Sequence, residues 1–244
     1  MNLKTISIVI PLYNEEKRIV GTLPQIYEHI DKLAKKLKIK FELIFINDGS
    51  TDSTREVVKK IKNLKTRLIS YKKNKGKGYA LKKGFSKATG DYILFMDADL
   101  STPLKHLEDF IKKIESGETI LIGSRKMKGA AVKKHQSFIR ENLGKGFTLL
   151  SNIFLVWGIS DFTCGFKMFP KNAGKAIFSK VTINRWGFDS EIIFIAKKKG
   201  YKIKEIPVEW INDNNTKVDL KKDIPRSLKE IFQIRLNHFK KKYG

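Results

Sequence analysis

Apolar positions in the first hundred residues fall into two alternating patterns. Short, almost continuously hydrophobic runs occupy 5–12, 41–47, 66–71 and 92–97, as in Ile6-Ser7-Ile8-Val9-Ile10 and Leu43-Ile44-Phe45-Ile46. Strands covered by helices on both faces have this texture, because neither side of them meets water. The intervening 15–38, 52–63 and 78–89 carry apolar residues at helical spacing. The alternation predicts a βαβ series: a mostly parallel central sheet with helices on both faces, its strands ending on one common edge where ligands bind in such folds. After residue 100 the pattern changes. Strands at 119–123 and 203–210 are separated by an apolar, helix-like stretch at 138–157 and a helix at 188–199, and a basic amphipathic helix is expected over 221–244. No repeat, low-complexity linker or Pro-rich hinge divides the chain, so the expected organisation is a single α/β domain over 1–220, with halves 1–100 and 101–220.

With 244 residues, 41% apolar and 11% aromatic, the chain can bury a sizeable core, which excludes global disorder. The formal charge of +25 points to anionic partners: nucleic acid, anionic lipid surfaces or phosphorylated substrates. Only eight of the 50 basic residues are Arg, whereas base-edge readout favours the planar guanidinium. Residues 125–145 carry seven basic groups against Glu141, and 221–244 carry eight against Asp223 and Glu230. Each segment lies beside large apolar residues, a pattern shared by helices on an anionic membrane surface and by core-packed helices with a solvated face. The longest nearly charge-free stretch, 146–160, is shorter than the ~20 residues of a spanning helix. Residues 1–5 lead into a strand with no apolar signal region, and Cys164 is the only cysteine, so a cytoplasmic location is expected and multi-cysteine metal sites are excluded. His29, His106, His135 and His238 are scattered without metal-ligand spacing.

Four polar clusters fall at the predicted strand ends: Pro11-Leu12-Tyr13-Asn14-Glu15, Asn47-Asp48-Gly49-Ser50, Asn74-Lys75-Gly76-Lys77-Gly78 and Asp97-Ala98-Asp99. Singly, each reads as a cap or a turn. Together they define one edge. Asp97 and Asp99 arrive where a strand gives out, and two carboxylates suit a hard cation such as Mg²⁺ or Mn²⁺ whose remaining ligands are water and phosphate. The lysines and backbone N–H groups around Gly76 and Gly78, at a helix start, are suited to an anion.

These clusters, followed in order by Gly123-Ser124-Arg125, Asp161-Phe162-Thr163-Cys164-Gly165-Phe166-Lys167, Phe188-Asp189-Ser190-Glu191 and Pro207-Val208-Glu209-Trp210, resemble the family 2 glycosyltransferases of the Rossmann-like GT-A fold. Within that family the chain is similar to the polyprenyl-phosphate, or dolichyl-phosphate, hexose synthases. The resemblance implies a nucleotide-sugar-binding half over 1–100 and an acceptor-side half over 101–220. It implies a nucleotide site of Pro11, Tyr13, Glu15, Asp48, Lys77, Gly78 and Asp97, and a metal and diphosphate site at Asp97 and Asp99. Arg125, Arg140 and Lys217 correspond to the acceptor-phosphate contacts, and Asp161 and Asp189 to catalytic organisers, or a base if the acceptor is an alcohol. Ser101 replaces the Gln of many mannosyl members, and Asn47 replaces a frequent second Asp. Asp-Leu-Ser-Thr-Pro resembles the glucosyl branch, which favours UDP-glucose over GDP-mannose.

The expectation is an inverting, metal-dependent hexosyltransferase. It takes a nucleotide sugar and a polyprenyl or dolichyl phosphate, and sits peripherally on the cytoplasmic face of an anionic membrane. A lipid phosphate, with a second pKa of about 6, is already ionised at neutral pH and needs cations more than a base. The alternatives are a GDP-mannose-dependent synthase, a glycosyltransferase with a glycan or protein hydroxyl acceptor, a nucleotidyltransferase and a nucleic-acid binder. The last leaves the carboxylate pair unused, and no nucleic acid is expected as partner.

Overall fold

The computed structural model describes residues 3–60, 66–114, 118–134, 138–213 and 220–244; the side chains of 138–140, 220–222 and 224 lie outside that description. The first half comprises β1 (Thr5–Leu12), α1 (Glu16–Leu37), β2 (Lys40–Asp48), α2 (Thr54–Lys59), β3 (Thr66–Tyr71), α3 (Lys77–Lys87) and β4 (Tyr92–Met96). The second half comprises α4 (His106–Lys112), β5 (Ile120–Ser124), β6 (Ala131–Lys134), α5 (Phe138–Phe154), β7 (Phe166–Pro170), α6 (Lys171–Lys180), α7 (Phe188–Lys198), β8 (Ile203–Pro207), β9 (Glu209–Ile211) and α8 (Leu220–Phe239).

A seven-stranded sheet runs in the order β3-β2-β1-β4-β7-β5-β8. β1 pairs in parallel with β2 and β4, and β2 with β3, so the ends of β1, β2 and β4 share one edge. Alternate residues of these strands enter different cores. Ile8, Ile10, Leu43, Phe45 and Leu94 pack with Ile19, Leu23, Ile26 and Ile30 of α1. Val9, Ile44, Ile46 and Phe95 pack with Ala80, Leu81 and Phe85 of α3. That two-sided burial is why the strands read as continuous apolar runs.

The structure departs from the sequence pattern in three places. β7 runs antiparallel between β4 and β5, with Met96 opposite Phe166. Its segment, Phe166-Lys167-Met168-Phe169-Pro170, is wholly buried, Lys167 included, and a charged residue within a short apolar run obscures the strand signal. The run at 203–210 is two strands. β8 pairs in parallel with β5, Val208 donates its N–H to the Ser124 carbonyl, and β9 leaves to pair with β6 in a separate two-stranded sheet. The helix expected over 52–63 is α2 over Thr54–Lys59, with 61–63 outside the described residues, and α4 and α6 join the helices read from periodicity. α8 is anchored to the body by buried Ile231 and Ile234. Among the described residues, no helix is long and apolar enough to cross a membrane.

Candidate active site

The end of β4 delivers Asp97 and Asp99 to a cleft that Ser101, Thr102, Gly165 and Trp210 also line. Gly165, just before β7, approaches so closely that a Cβ on it would lie 1.9 Å from Asp97 Oδ2. Leu100 turns the chain through a positive φ of 54°, and the Ser101 N–H donates to Asp99 Oδ1 at 2.9 Å. Burial, reinforced by the charge of Asp97, raises the Asp99 pKa, while Arg18 and Lys77 act in the opposite sense. The Lys77 ammonium lies 2.6 Å from Asp97 Oδ1. Burial opposes its charge, but Asp97 and Asp189 outweigh that and raise its pKa.

This donor set fits a divalent cation. It is oxygen-only, and two neighbouring carboxylates, one with its charge disfavoured by burial, gain from a counter-ion. Among the described residues, no group of three or more His, Cys, Asp or Glu side chains is placed to hold a metal. The pair therefore makes an incomplete shell, of the kind Mg²⁺ completes with water and substrate phosphate.

Beside this cleft stand two buried ion pairs. Arg125 clamps Asp161 in bidentate fashion, Nε to Oδ2 at 2.7 Å and an Nη to Oδ1 at 2.8 Å, and also donates to Thr163 Oγ1 at 2.8 Å. Its guanidinium lies 5.3 Å from the centre of the Trp210 ring. Burial alone would raise the Asp161 pKa; the Arg125 charge and hydrogen bonds prevail and hold it far below the usual carboxylate range. The Lys167 ammonium, with no exposed surface, lies 2.5 Å from Asp189 Oδ1 and donates to the Cys164 carbonyl at 2.7 Å. Burial raises the Asp189 pKa, with Lys167 and Lys77 opposing. Lys126, next to Arg125, donates to Thr148 of α5 at 2.7 Å and has no carboxylate partner among the described residues.

At the end of β1, Pro11 is the penultimate strand residue and Tyr13 lies just past the strand, partly open to solvent. Glu15 pairs with Arg18, which also reaches Asp213 at 2.8 Å. Asp48 is buried and engaged with the 74–76 loop, accepting from Asn74 Nδ2 at 2.9 Å and from the Lys75 and Gly76 N–H groups at 2.8 Å. The N–H groups at the start of α3 that sequence offers to an anion are donated elsewhere: Gly78 and Tyr79 both bond to the Asn184 carbonyl, at 2.9 and 3.3 Å. Lys77 is the group of that motif which faces the carboxylates.

The fold thus brings Asp97, Asp99, Lys77 and Asp189 into one electrostatic cluster, with Arg125 and Asp161 joined to it through Trp210. The Arg140 side chain and Lys217 lie outside the described residues. Sequence reasoning missed Arg18, Lys126, Lys167, Asp213 and the role of Gly165. Lys167 and Gly165 stand inside a quoted motif, and Arg18 pairs with Glu15 three positions before it, but its second partner, Asp213, is 195 positions away.

Residues 7–178 match the family described as Glycosyl transferase family 2. A dolichyl-phosphate beta-glucosyltransferase of Dictyostelium discoideum is 35% identical over 243 residues, covering 96% of this chain and 74% of its own. One from Trichomonas vaginalis is 37% identical over 222 residues, 87% of this chain and 66% of its own. Glucosyl-3-phosphoglycerate synthase from Mycobacterium tuberculosis, solved with Mn²⁺, uridine diphosphate and glucosyl-3-phosphoglycerate, has a TM-score of 0.67 at 17% identity, covering 95% of this chain and 80% of its own. That likeness is one of fold.

Proposed function

Because this chain belongs to glycosyltransferase family 2, we propose that its GT-A scaffold moves glucose from UDP-glucose to a polyprenyl, dolichyl-type phosphate. The observation that carries this reading is the half-buried Asp97 and Asp99 pair with Lys77 against it, in a chain similar along nearly its whole length to dolichyl-phosphate beta-glucosyltransferases. Asp97 and Asp99 would hold Mg²⁺ or Mn²⁺, which when bound supplies positive charge to the leaving diphosphate. Lys77 is a second cation at that place, and Pro11, Tyr13, Glu15, Asp48 and Gly78 frame the nucleotide.

A phosphate oxygen of the acceptor attacks the anomeric carbon as the carbon–oxygen bond to the diphosphate breaks, which inverts the centre and gives a β-linked product. Already ionised, such an acceptor needs no proton removed. Asp161 accords with that chemistry, since Arg125 makes it a very weak base. In this reading Asp161 and Asp189 are organisers: one orients Arg125, the other Lys167. Arg125, Arg140 and Lys217, joined by Lys126, supply the acceptor-phosphate contacts.

The acceptor's chain requires a lipid surface. Leu149, Ile153 and Phe154 of α5, Trp157 beyond it, and Phe232, Leu236 and Phe239 of α8 are exposed, and the Phe154 and Phe232 rings, 5.3 Å apart, join the two helices into one apolar face. Arg235 and Lys229 share α8, and Lys145 shares α5. This basic and apolar combination suits peripheral association with the cytoplasmic face of an anionic membrane.

Incubation with UDP-glucose, GDP-mannose and other nucleotide sugars plus a short polyprenyl phosphate, with products read by mass spectrometry, tests the proposal. A hexosyl polyprenyl phosphate from UDP-glucose is the expected product. Products from GDP-mannose alone would transfer the assignment to the mannosyl branch, and none from any donor would overturn it.

A further inference from the structure

Three inward-facing polar groups on α8 and just beyond it converge on one short segment, 182–187, and on Glu191 of α7, which braces it. Glu230 accepts the Gly187 N–H at 2.8 Å, Asn237 donates to Thr182 Oγ1 at 2.8 Å, and the Tyr243 hydroxyl donates to Glu191 at 2.7 Å. Glu191 is fully buried, and its carboxylate also accepts from Thr182 Oγ1 at 2.6 Å, from the Thr182 N–H at 3.1 Å and from the Ile183 N–H at 2.9 Å. A buried carboxylate with this many donors sets the path of the backbone around it, because losing any one leaves a buried polar group unsatisfied.

The far side of the same segment touches the carboxylate site. Its Asn184 carbonyl receives the Gly78 and Tyr79 N–H groups, so it seats the first turn of α3. The approach is close enough that a Cβ on Gly76 would lie 2.3 Å from Asn184 O, and one on Gly78 2.4 Å from Ile183 O. The Trp186 and Phe188 rings each stand 5.8 Å from the Lys77 ammonium, which is the group that meets Asp97.

We infer that Glu230, Asn237 and Tyr243 are positioning residues for the nucleotide side of the site: they fix segment 182–187, which seats α3 and flanks Lys77. This rests on the reading of Asp97, Asp99 and Lys77 as the diphosphate site. α8 thereby has two faces with two tasks, an apolar one outward and a polar one inward that holds the catalytic half in register.

Tyr243→Phe tests the link, since it removes one oxygen and keeps the buried ring against Phe194. Glu230→Ala is the second variant, at a partly exposed position, and removes the acceptor of the Gly187 N–H. The probe is uridine diphosphate with Mn²⁺ in calorimetric titration, alongside amide hydrogen exchange over residues 76–80 and Michaelis constants for both substrates. In both variants, UDP affinity should weaken about tenfold, a scale in keeping with remote misplacement of a binding group. The Gly78 and Tyr79 amides should exchange faster, and the acceptor Michaelis constant should not change. Lower thermal stability with wild-type UDP affinity and wild-type exchange would reduce α8 to mere packing and overturn the inference. Absence of UDP binding in the wild type would instead defeat the diphosphate reading, while unchanged exchange at 76–80 would still refute the mechanical link.

Discussion

At Asp99 the cost of a charged side chain and its use are visible together. Burial and the Asp97 charge raise its pKa, so the ionised form destabilises the fold at neutral pH and is retained for what it binds. Asp99→Asn should therefore lower turnover by at least about a hundredfold, with a melting temperature equal to or above that of the parent. Initial rates with Mn²⁺ and a thermal melt check both halves; undiminished turnover would refute the metal assignment. Residue types at this edge were legible in sequence because each follows a strand end. Their pairings were not. Arg125 and Asp161 are 36 positions apart, and Lys167 and Asp189 are 22 apart, and only the fold reveals that the carboxylates considered as bases are each already matched to a cation.

At the scale of elements, β1, β2 and β4 were readable because both of their faces are buried, and β3, at the sheet edge, is only partly covered. β7 and β9 were not readable, the former for its buried lysine and the latter for its three residues. β9 carries Trp210 to the cleft and is tied down by His106 of α4, whose Nε2 accepts the Glu209 N–H at 2.9 Å while its Nδ1 meets Asp109 at 3.1 Å. That arrangement requires the neutral ring, and burial lowers its pKa below 6.5. The unfolded chain then takes up a proton first. Stability should be complete above about pH 6.5 and fall as pH drops through the window below it, down to the folded-state value. Denaturant midpoints at pH 7.5 and 5.5 measure the slope, and His106→Gln should flatten it. His29 and His238 shift in the same direction, so the difference between parent and variant isolates His106. Identical slopes would remove His106 from the account.

For the molecule as a whole, the high positive charge and the exposed α5 and α8 face make a joint prediction. Sedimentation with vesicles containing about one-third anionic lipid should capture the protein at low salt, and moderate salt should weaken capture by screening. Replacing Trp157 and Phe239, 78% and 71% exposed, with Ser should reduce capture at both salt levels while catalysis of a water-soluble short-chain acceptor persists. Equal capture by neutral vesicles would mean that the charge has no part. Sequence alone held packed and membrane-lying readings of these helices level; the structure packs Ile231 and Ile234 of α8 on the body and leaves Phe232 and Phe239 exposed.

The reversed direction of β7 has a consequence for how such a molecule diversifies. Since Phe166 stands opposite Met96, the loop entering β7 and the loop leaving β4 meet head-on at the same rim, although they come from different halves of the polypeptide. Length changes in the stretch between β5 and β7 can therefore reshape what is admitted opposite the nucleotide without disturbing the β1 to β4 registers. An ancestral catalyst could in this way acquire new recipients for its sugar by remodelling one insertion, leaving its grip on the activated hexose inherited intact.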